Sequence, residues 1–284
     1  MSVVVVTDST ASLPVEVAEA RGIVVVPLQV VIGADAFDEG SPDATPERVA
    51  QALRDYRPVS TSRPSPGSML ELYRRLEKGG ARQILSVHLS GDMSGTFESA
   101  QLAARDAEVR VVCVDSRQVG VATGYAALAA ADAVGRGASV EEAADAARAR
   151  AERCSSYFYV DTLEYLRRGG RLGAAAALFG GALAVKPLLT IDDGTVSSLE
   201  KVRTSGKALA RLAELAVTAA GDEQVDVCVA HLASPERAES LADELAKRLA
   251  DQLGGREVWC AEVGAVLGAH VGPGMIAVCV APRD

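Results

Sequence analysis

Four short runs, Val3–Val6, Ile23–Val31, Ile84–Leu89 and Val111–Val114, are largely β-branched and apolar on consecutive residues instead of alternate ones. A strand with one face in water alternates apolar and polar side chains. Unbroken apolar runs of this length belong to strands buried on both faces, as in a parallel sheet covered by helices. Such a sheet needs crossover helices between its strands, and the sequence supplies starts for them. Thr45–Pro46 and Ser65–Pro66 each place a capping hydroxyl before a proline at the first helical position. Ser139 with Glu142 reads as a capping box ahead of an alanine- and arginine-rich helix. These signals predict a parallel α/β domain at the N-terminus.

The pattern changes after about residue 155. Pro187–Asp192 and Thr195–Val202 flank Asp193-Gly194, a strong signal for a two-residue hairpin. A helix over Thr204–Ala219, a strand over Val225–Ala230, and a helix over Pro235–Leu249 capped by Ser234 are predicted to follow. Strands Arg256–Glu262 and Met275–Val280 complete the set. The expectation is an α+β domain with a mixed sheet, with the chain divided into residues 1–155 and 156–284. A length of 284 residues with 49% apolar side chains suffices for two such cores.

Net charge is −9 with acidic residues scattered along the chain, which speaks against a nucleic-acid surface. Five cysteines include no C-x-x-C pair, and those at 113, 228, 260 and 279 sit inside strand-like runs. Small buried reduced thiols are therefore expected. The first residues lead straight into VVVV with no basic leader, from which a cytoplasmic location is expected. The longest uncharged stretch, Leu172–Val185, has 14 residues with three glycines, short of the roughly 20 that span a bilayer. It reads as a buried helix or a pocket wall.

Motifs for nucleotide-binding glycine loops, nucleophile elbows and H-E-x-x-H zinc helices are missing, and three histidines lack metal-ligand spacing. No metal and no cofactor are expected. Hydroxyl-rich loops follow the predicted strands instead: Thr7–Thr10 with Ser9, Thr61-Ser62, and Ser90–Thr96 with Ser94, Gly95 and Thr96. One such loop can simply cap a helix. Three at one sheet rim suit an anionic oxygen, which free N–H groups at a helix start also attract. His270 lies in a glycine–proline loop, Gly268–Gly274, where backbone geometry positions it for a ligand. His88 and His231 read as satisfied core or rim residues. Arg167 reads as solvated, whereas Arg171, between glycines, and Arg203, at a strand end, can reach an anion or a partner's phosphate.

TDST at Thr7–Thr10, TSRPSPG at Thr61–Gly67 and SGTFESA at Ser94–Ala100 resemble motifs of the DegV family. So do LEYLRRGGRLG at Leu163–Gly173, KVRT at Lys201–Thr204 and HVGPG at His270–Gly274, in the same order over essentially the whole chain. The resemblance implies a two-domain fold with an acyl chain between the domains. It also implies the role of the fatty-acid-binding subunit of a bacterial fatty acid kinase. In that role the protein is no enzyme by itself. It presents the carboxylate of a long-chain fatty acid to a separate ATP-dependent kinase subunit, and the acyl phosphate feeds phospholipid synthesis. Transient contact with a membrane surface goes with loading such a ligand.

The resemblance implies that Thr61 and Ser94 bond the carboxylate, with Gly95 and His270 alongside. Arg171, Arg203 and His270 would serve phosphate transfer or the kinase contact, and Ser9, Ser62 and Thr96 are secondary candidates. Two positions depart from the family pattern: Arg63, where an uncharged residue is common, and Glu98, where glutamine is common. Two other readings stay open, a carrier of another lipid or small anion and an autonomous serine hydrolase using Ser94 and His270.

Overall fold

The computed structural model describes residues 2–173 and 186–283. Among them the chain begins with β1 (Val3–Asp8), α1 (Val15–Ala20), β2 (Val24–Val26), β3 (Gln29–Ile32), β4 (Asp35–Asp38), α2 (Pro46–Arg54) and β5 (Val59–Ser62). It continues through α3 (Pro66–Lys78), β6 (Gln83–His88), α4 (Thr96–Asp106), β7 (Arg110–Asp115), α5 (Val121–Gly135), α6 (Val140–Arg153) and β8 (Ser155–Tyr159). Then come α7 (Glu164–Arg168), β9 (Lys186–Asp192), β10 (Thr195–Val202), α8 (Ser205–Ala220) and β11 (Val225–His231). The last elements are α9 (Pro235–Arg248), α10 (Ala250–Leu253), β12 (Trp259–Glu262), α11 (Ala265–Val271) and β13 (Ile276–Pro282). The stretch read as a pocket wall, Leu172–Val185, falls outside the described residues from 174 onward.

Two compact units emerge. The first comprises Met1–Gln29, Asp38–Gly40 and Ser62–Glu152. Its four-stranded sheet has the order β2-β1-β6-β7, and every ladder is parallel. Both faces are buried, as the largely continuous apolar runs require. Val5, Leu85 and Val87 pack with the alanines of α5 and α6, while Val6 and Ile84 pack with Met69, Leu72 and Tyr73 of α3 and Ala100 of α4. Fully burying one such valine, leucine or isoleucine stabilises the fold by about 1.5–3 kcal/mol. The helix starts behave as their residues dictate. The Ser65 hydroxyl accepts from the Ser68 N–H at 3.0 Å, and Ser139 and Glu142 form a reciprocal box.

The second unit comprises Val30–Phe37, Ser41–Thr61 and Arg153–Asp284. Its main sheet, ordered β10-β9-β8-β13-β11-β12, is mixed: β11 and β12 run parallel and the other ladders are antiparallel. Leu212 of α8 and Leu241 and Leu245 of α9 cover one face together with Val227, Val229 and Val278. Asp193 and Gly194 both adopt positive φ, 46° and 80°, and so close the β9–β10 hairpin with the turn twist that paired strands favour. A three-stranded sheet, β4-β3-β5, accompanies it.

Several sequence expectations need correction. The run Ile23–Val31 is two strands in two sheets, because Pro27 lacks the N–H that a continuous ladder would use. A single division at residue 155 does not follow the chain either. Val30 and Ile32 of β3 and Val49, Ala52 and Leu53 of α2 share a core cluster with Ala265 and Ala269, which places this excursion in the second unit. Ser234 precedes α9 but makes no side-chain cap bond. Cys260 is exposed and Cys113 half-buried, so only Cys154, Cys228 and Cys279 are buried thiols; all five are free.

Candidate ligand site

In the first unit, the loops after β1 and β6 lie at the carboxyl ends of neighbouring parallel strands. Buried Asp8 ties them together. Its Oδ2 accepts from the Leu89 N–H at 3.1 Å and lies 2.9 Å from His88 Nδ1, while its Oδ1 accepts from Thr10 Oγ1 at 2.5 Å. His88 Nε2 meets Ser86 Oγ at 2.8 Å, and Tyr73 donates to Ser86 at 2.9 Å. With the His88 proton on Nδ1, every hydroxyl in this chain donates toward the one carboxylate. A buried aspartate thus has its charge met, as burial demands. Asp115, at the end of β7, accepts from the Gly91 N–H at 3.1 Å. Asp8-Ser9 and Asp115-Ser116 each end a parallel strand, and both carboxylates pin the loop that follows β6.

That loop delivers Ser94, Gly95 and Thr96 to the start of α4. Ser94 Oγ is 2.8 Å from Thr96 Oγ1 and accepts from the Thr96 N–H at 3.3 Å. With Thr96 donating, the Ser94 O–H is left to reach another oxygen. Ser9 accepts from the Leu28 N–H at 2.9 Å, and exposed Ser62 bonds only its neighbour's carbonyl, Arg63 O, at 3.3 Å. The two departures from the family pattern answer each other. Arg63 Nη1 binds Glu98 Oε2 at 2.8 Å and the Gly95 carbonyl at 2.9 Å, so the carboxylate beside the Ser94 loop is neutralised at the surface. A side chain at Gly95 would displace the Arg63 guanidinium from this contact, since an added Cβ would fall 1.6 Å from Arg63 Nη1.

In the second unit, Thr61, Arg171 and His270 come together around a cavity of about 490 Å³ that Tyr56, Arg57 and Arg168 also line. Thr61 lies in β5, the third strand of the excursion, and so belongs to the three-stranded sheet. It does not share a sheet with the loops after β1 and β6, as one common rim would have required. His270 lies in the last turn of α11 and not in a loop. The helix forms because Ala265, Gly268 and Ala269 are small enough to pack closely. An added Cβ on Gly268 would come within 3.2 Å of Leu232 and 3.8 Å of Val49. Gly272, at φ 74°, then ends it.

Thr61 Oγ1 and His270 Nε2 are 2.8 Å apart, and the buried Nδ1 has no hydrogen-bond partner among the described residues. Burial, and then the Arg171 guanidinium, hold the His270 pKa down at about 4, so the ring is neutral at physiological pH. In the tautomer with the proton on Nε2, the ring donates to Thr61 and frees the Thr61 O–H for an anionic oxygen. Arg171 Nη1 donates to the Gly169 carbonyl at 2.5 Å. Gly169 presses against the imidazole: its φ of −73° suits any residue, yet an added Cβ would lie 2.2 Å from His270 Nδ1. Sequence reading passed over this glycine, which is required for space and not for conformation.

The other arginines divide. Arg167 is a solvated residue, forked onto Glu164 at 2.6 and 2.9 Å. Arg168 reaches the same carboxylate at 2.7 Å, and the two cations hold the Glu164 pKa down at about 2. Arg203 follows β10 just ahead of Thr204, the cap of α8; it is exposed and does not line the cavity. Tyr56 and Arg57 had no sequence signal of their own. Helix α2 ends with Arg57 N–H bonded to the Ala52 carbonyl and Tyr56 N–H to the Leu53 carbonyl. This closure puts Tyr56 at φ 55°, where glycine is preferred, and leaves it 83% exposed. His231 is buried and accepts from the Ser234 N–H at 3.4 Å.

The DegV family profile matches residues 2–283 of the chain. A DegV domain-containing protein of Streptomyces coelicolor is 52% identical over 281 residues, 99% of each chain. Among solved structures, a DegV family protein from Thermus thermophilus described by its fatty acid binding superposes with a TM-score of 0.91. It is 30% identical, with 100% of both chains covered. DegV from Bacillus subtilis, described as a fatty acid binding protein, gives 0.91 at 33% identity with the same coverage. The parallel and mixed sheets, the motif order and these full-length matches lead to one assignment: the chain belongs to the DegV family.

Proposed function

We propose that this protein carries a long-chain fatty acid, holding its carboxylate at Thr61 and His270 and presenting it to a separate ATP-dependent kinase subunit for acyl-phosphate formation. The observation that carries the reading is the full-length similarity, at 30% and 33% identity, to two proteins described as binding fatty acids. The local chemistry agrees with it. A hydroxyl backed by a neutral imidazole, beside Arg171, gives a carboxylate a donor and a compensating charge, which offset its loss of water. Ser94 and the Gly95 N–H form a second donor set in the first unit, with Ser9, Ser62 and Thr96 as lesser candidates.

An acyl tail contributes about 0.8 kcal/mol per buried methylene, so a full-length tail is worth on the order of 10 kcal/mol. That is enough to draw a fatty acid from a bilayer, which implies transient contact with a membrane surface. Arg171 and Arg203 take the role of meeting the phosphoryl group or the kinase, whose use of ATP points to the cytoplasm. This role needs no metal and no cofactor in the carrier. A carrier of another lipid would use the same donors. The serine-hydrolase reading lacks an orienting acid, because His270 Nδ1 has no hydrogen-bond partner among the described residues.

Fatty-acid affinity by fluorescence displacement tests the carboxylate site. Thr61→Val and Ser94→Ala are expected to weaken binding roughly tenfold or more, the worth of a hydrogen bond to a charged group, with Thr61→Ser restoring it. Arg203→Ala is expected to spare affinity and slow acyl-phosphate formation. Unchanged affinity in both Thr61→Val and Ser94→Ala would remove these residues from the site.

A further inference from the structure

His270 meets Thr61 from the last turn of α11, so its place depends on what fixes the end of that helix. Side chains seated over glycines supply part of the answer. The Tyr165 ring of α7 lies over Gly272, where an added Cβ would fall 1.9 Å from it. The Asp161 carboxylate lies over Gly274, 2.0 Å from the corresponding point. Gly274 also stands at φ 91°, a conformation that only glycine adopts without strain. The link from this turn back to His270 is short and stiff. The Gly272 N–H closes α11 on the Gly268 carbonyl at 2.9 Å, and Pro273 brings a fixed φ.

Gly274 is held through its polar groups as well. Its N–H donates to the Leu232 carbonyl at 2.9 Å, and its own carbonyl accepts from Arg237 Nη2 at 2.6 Å. Arg237 stands in the first turn of α9, with its guanidinium 5.7 Å from the centre of the Tyr159 ring. The Tyr159 hydroxyl donates to Asp161, the carboxylate that faces Gly274. Lys186 Nζ neutralises that carboxylate at 3.2 Å. Arg237 is different: among the described residues no carboxylate pairs with it, and its buried Nε has no hydrogen-bond partner. A half-buried cation set this way loses water without the usual compensation, so its presence is a poor means of gaining stability. What the rigid guanidinium does fix is the place of one carbonyl, that of Gly274.

We propose that Arg237 is a positioning residue for the carboxylate site: by holding the Gly274 carbonyl it keeps the turn after α11 closed and His270 Nε2 on Thr61. The inference rests on the reading of Thr61 and His270 as carboxylate donors and adds a residue remote from the ligand. Arg237 does not line the cavity and is bonded to neither of them.

Nuclear magnetic resonance titration of the histidine rings in the full chain tests the proposal, with fatty-acid affinity measured on the same preparations. The chain has three histidines, so His270→Gln identifies the His270 signal. In the wild type that ring should take up its proton near pH 4. Arg237→Met keeps much of the side chain over Tyr159 and removes the donors. Its His270 ring should titrate about one pH unit or more higher, as the ring regains water. Fatty-acid affinity should fall about fivefold or more, the worth of one net hydrogen bond. Arg237→Lys, which keeps a donor and the charge, should recover most of both. Leu241→Ala, in the core beneath the same helix, should lower the melting temperature and leave titration and affinity at wild-type values. Wild-type titration and affinity in a folded Arg237→Met protein would overturn the proposal. So would an Arg237→Lys protein that recovers neither, or a Leu241→Ala protein whose ring shifts as far. A wild-type protein that binds no fatty acid would overturn the fatty-acid reading instead, because the ring titration needs no ligand.

Discussion

At the scale of single residues, His270 joins the greatest number of constraints. It pairs with Thr61 through Nε2 as a neutral ring, since burial beside Arg171 keeps its pKa near 4 when the ordinary value is 6.5. The unfolded chain takes up a proton that the folded ring refuses. This group therefore leaves stability untouched above pH 6.5 and lowers it as pH falls from 6.5 toward 4. At pH 5 the loss amounts to about 2 kcal/mol, from 1.36 kcal/mol per pKa unit. Denaturant unfolding at pH 7 and pH 5 is expected to show that extra loss in the wild type and not in His270→Gln. Equal losses in both would mean that the ring takes a proton in the folded protein as readily as in the unfolded one. Tyr56 is the opposite case, a residue whose conformation and exposure both work against stability.

At the scale of elements, much was legible and the exceptions have reasons. Consecutive β-branched runs encode burial on two faces, so the parallel sheet could be read directly. Asp193-Gly194 encodes a hairpin through the positive φ that both residues adopt. Helix α11 was read as a loop because glycine and alanine carry little pattern, yet their smallness is what lets the helix approach Leu232 and Val49. Ser94 and His270 were legible as candidates because hydroxyl loops and glycine-flanked histidines are unusual. Gly169 was not, since it acts by the absence of a side chain. Gly169→Ala tests that last point. Its backbone tolerates alanine, so stability should fall by no more than about 1–3 kcal/mol of overpacking. The displaced imidazole should nevertheless lose Thr61 and weaken fatty-acid binding about tenfold. Wild-type affinity in a folded Gly169→Ala protein would show that the Thr61–His270 pair is not needed.

At the scale of the whole molecule, some of the 29 lysines and arginines of this acidic chain have distinct uses. Arg63 is spent on neutralising Glu98, and Arg167 is taken up by Glu164. Arg57 and Arg171 face a cavity, and Arg203 is exposed beyond β10. Local cations on a negative body suit brief encounters with an anionic partner, steered by charge and weakened by salt. The excursion of β3, β4, α2 and β5 into the second unit brings Thr61 to His270 across 209 positions of sequence, a pairing that no local pattern encodes. The central claim is that this fold retains a long-chain fatty acid, and native mass spectrometry of the purified chain tests it most directly. The account predicts a bound species with the mass of a long-chain fatty acid, or its appearance on incubation with a panel of such acids. A spectrum of bare protein that the whole panel leaves unchanged would contradict it.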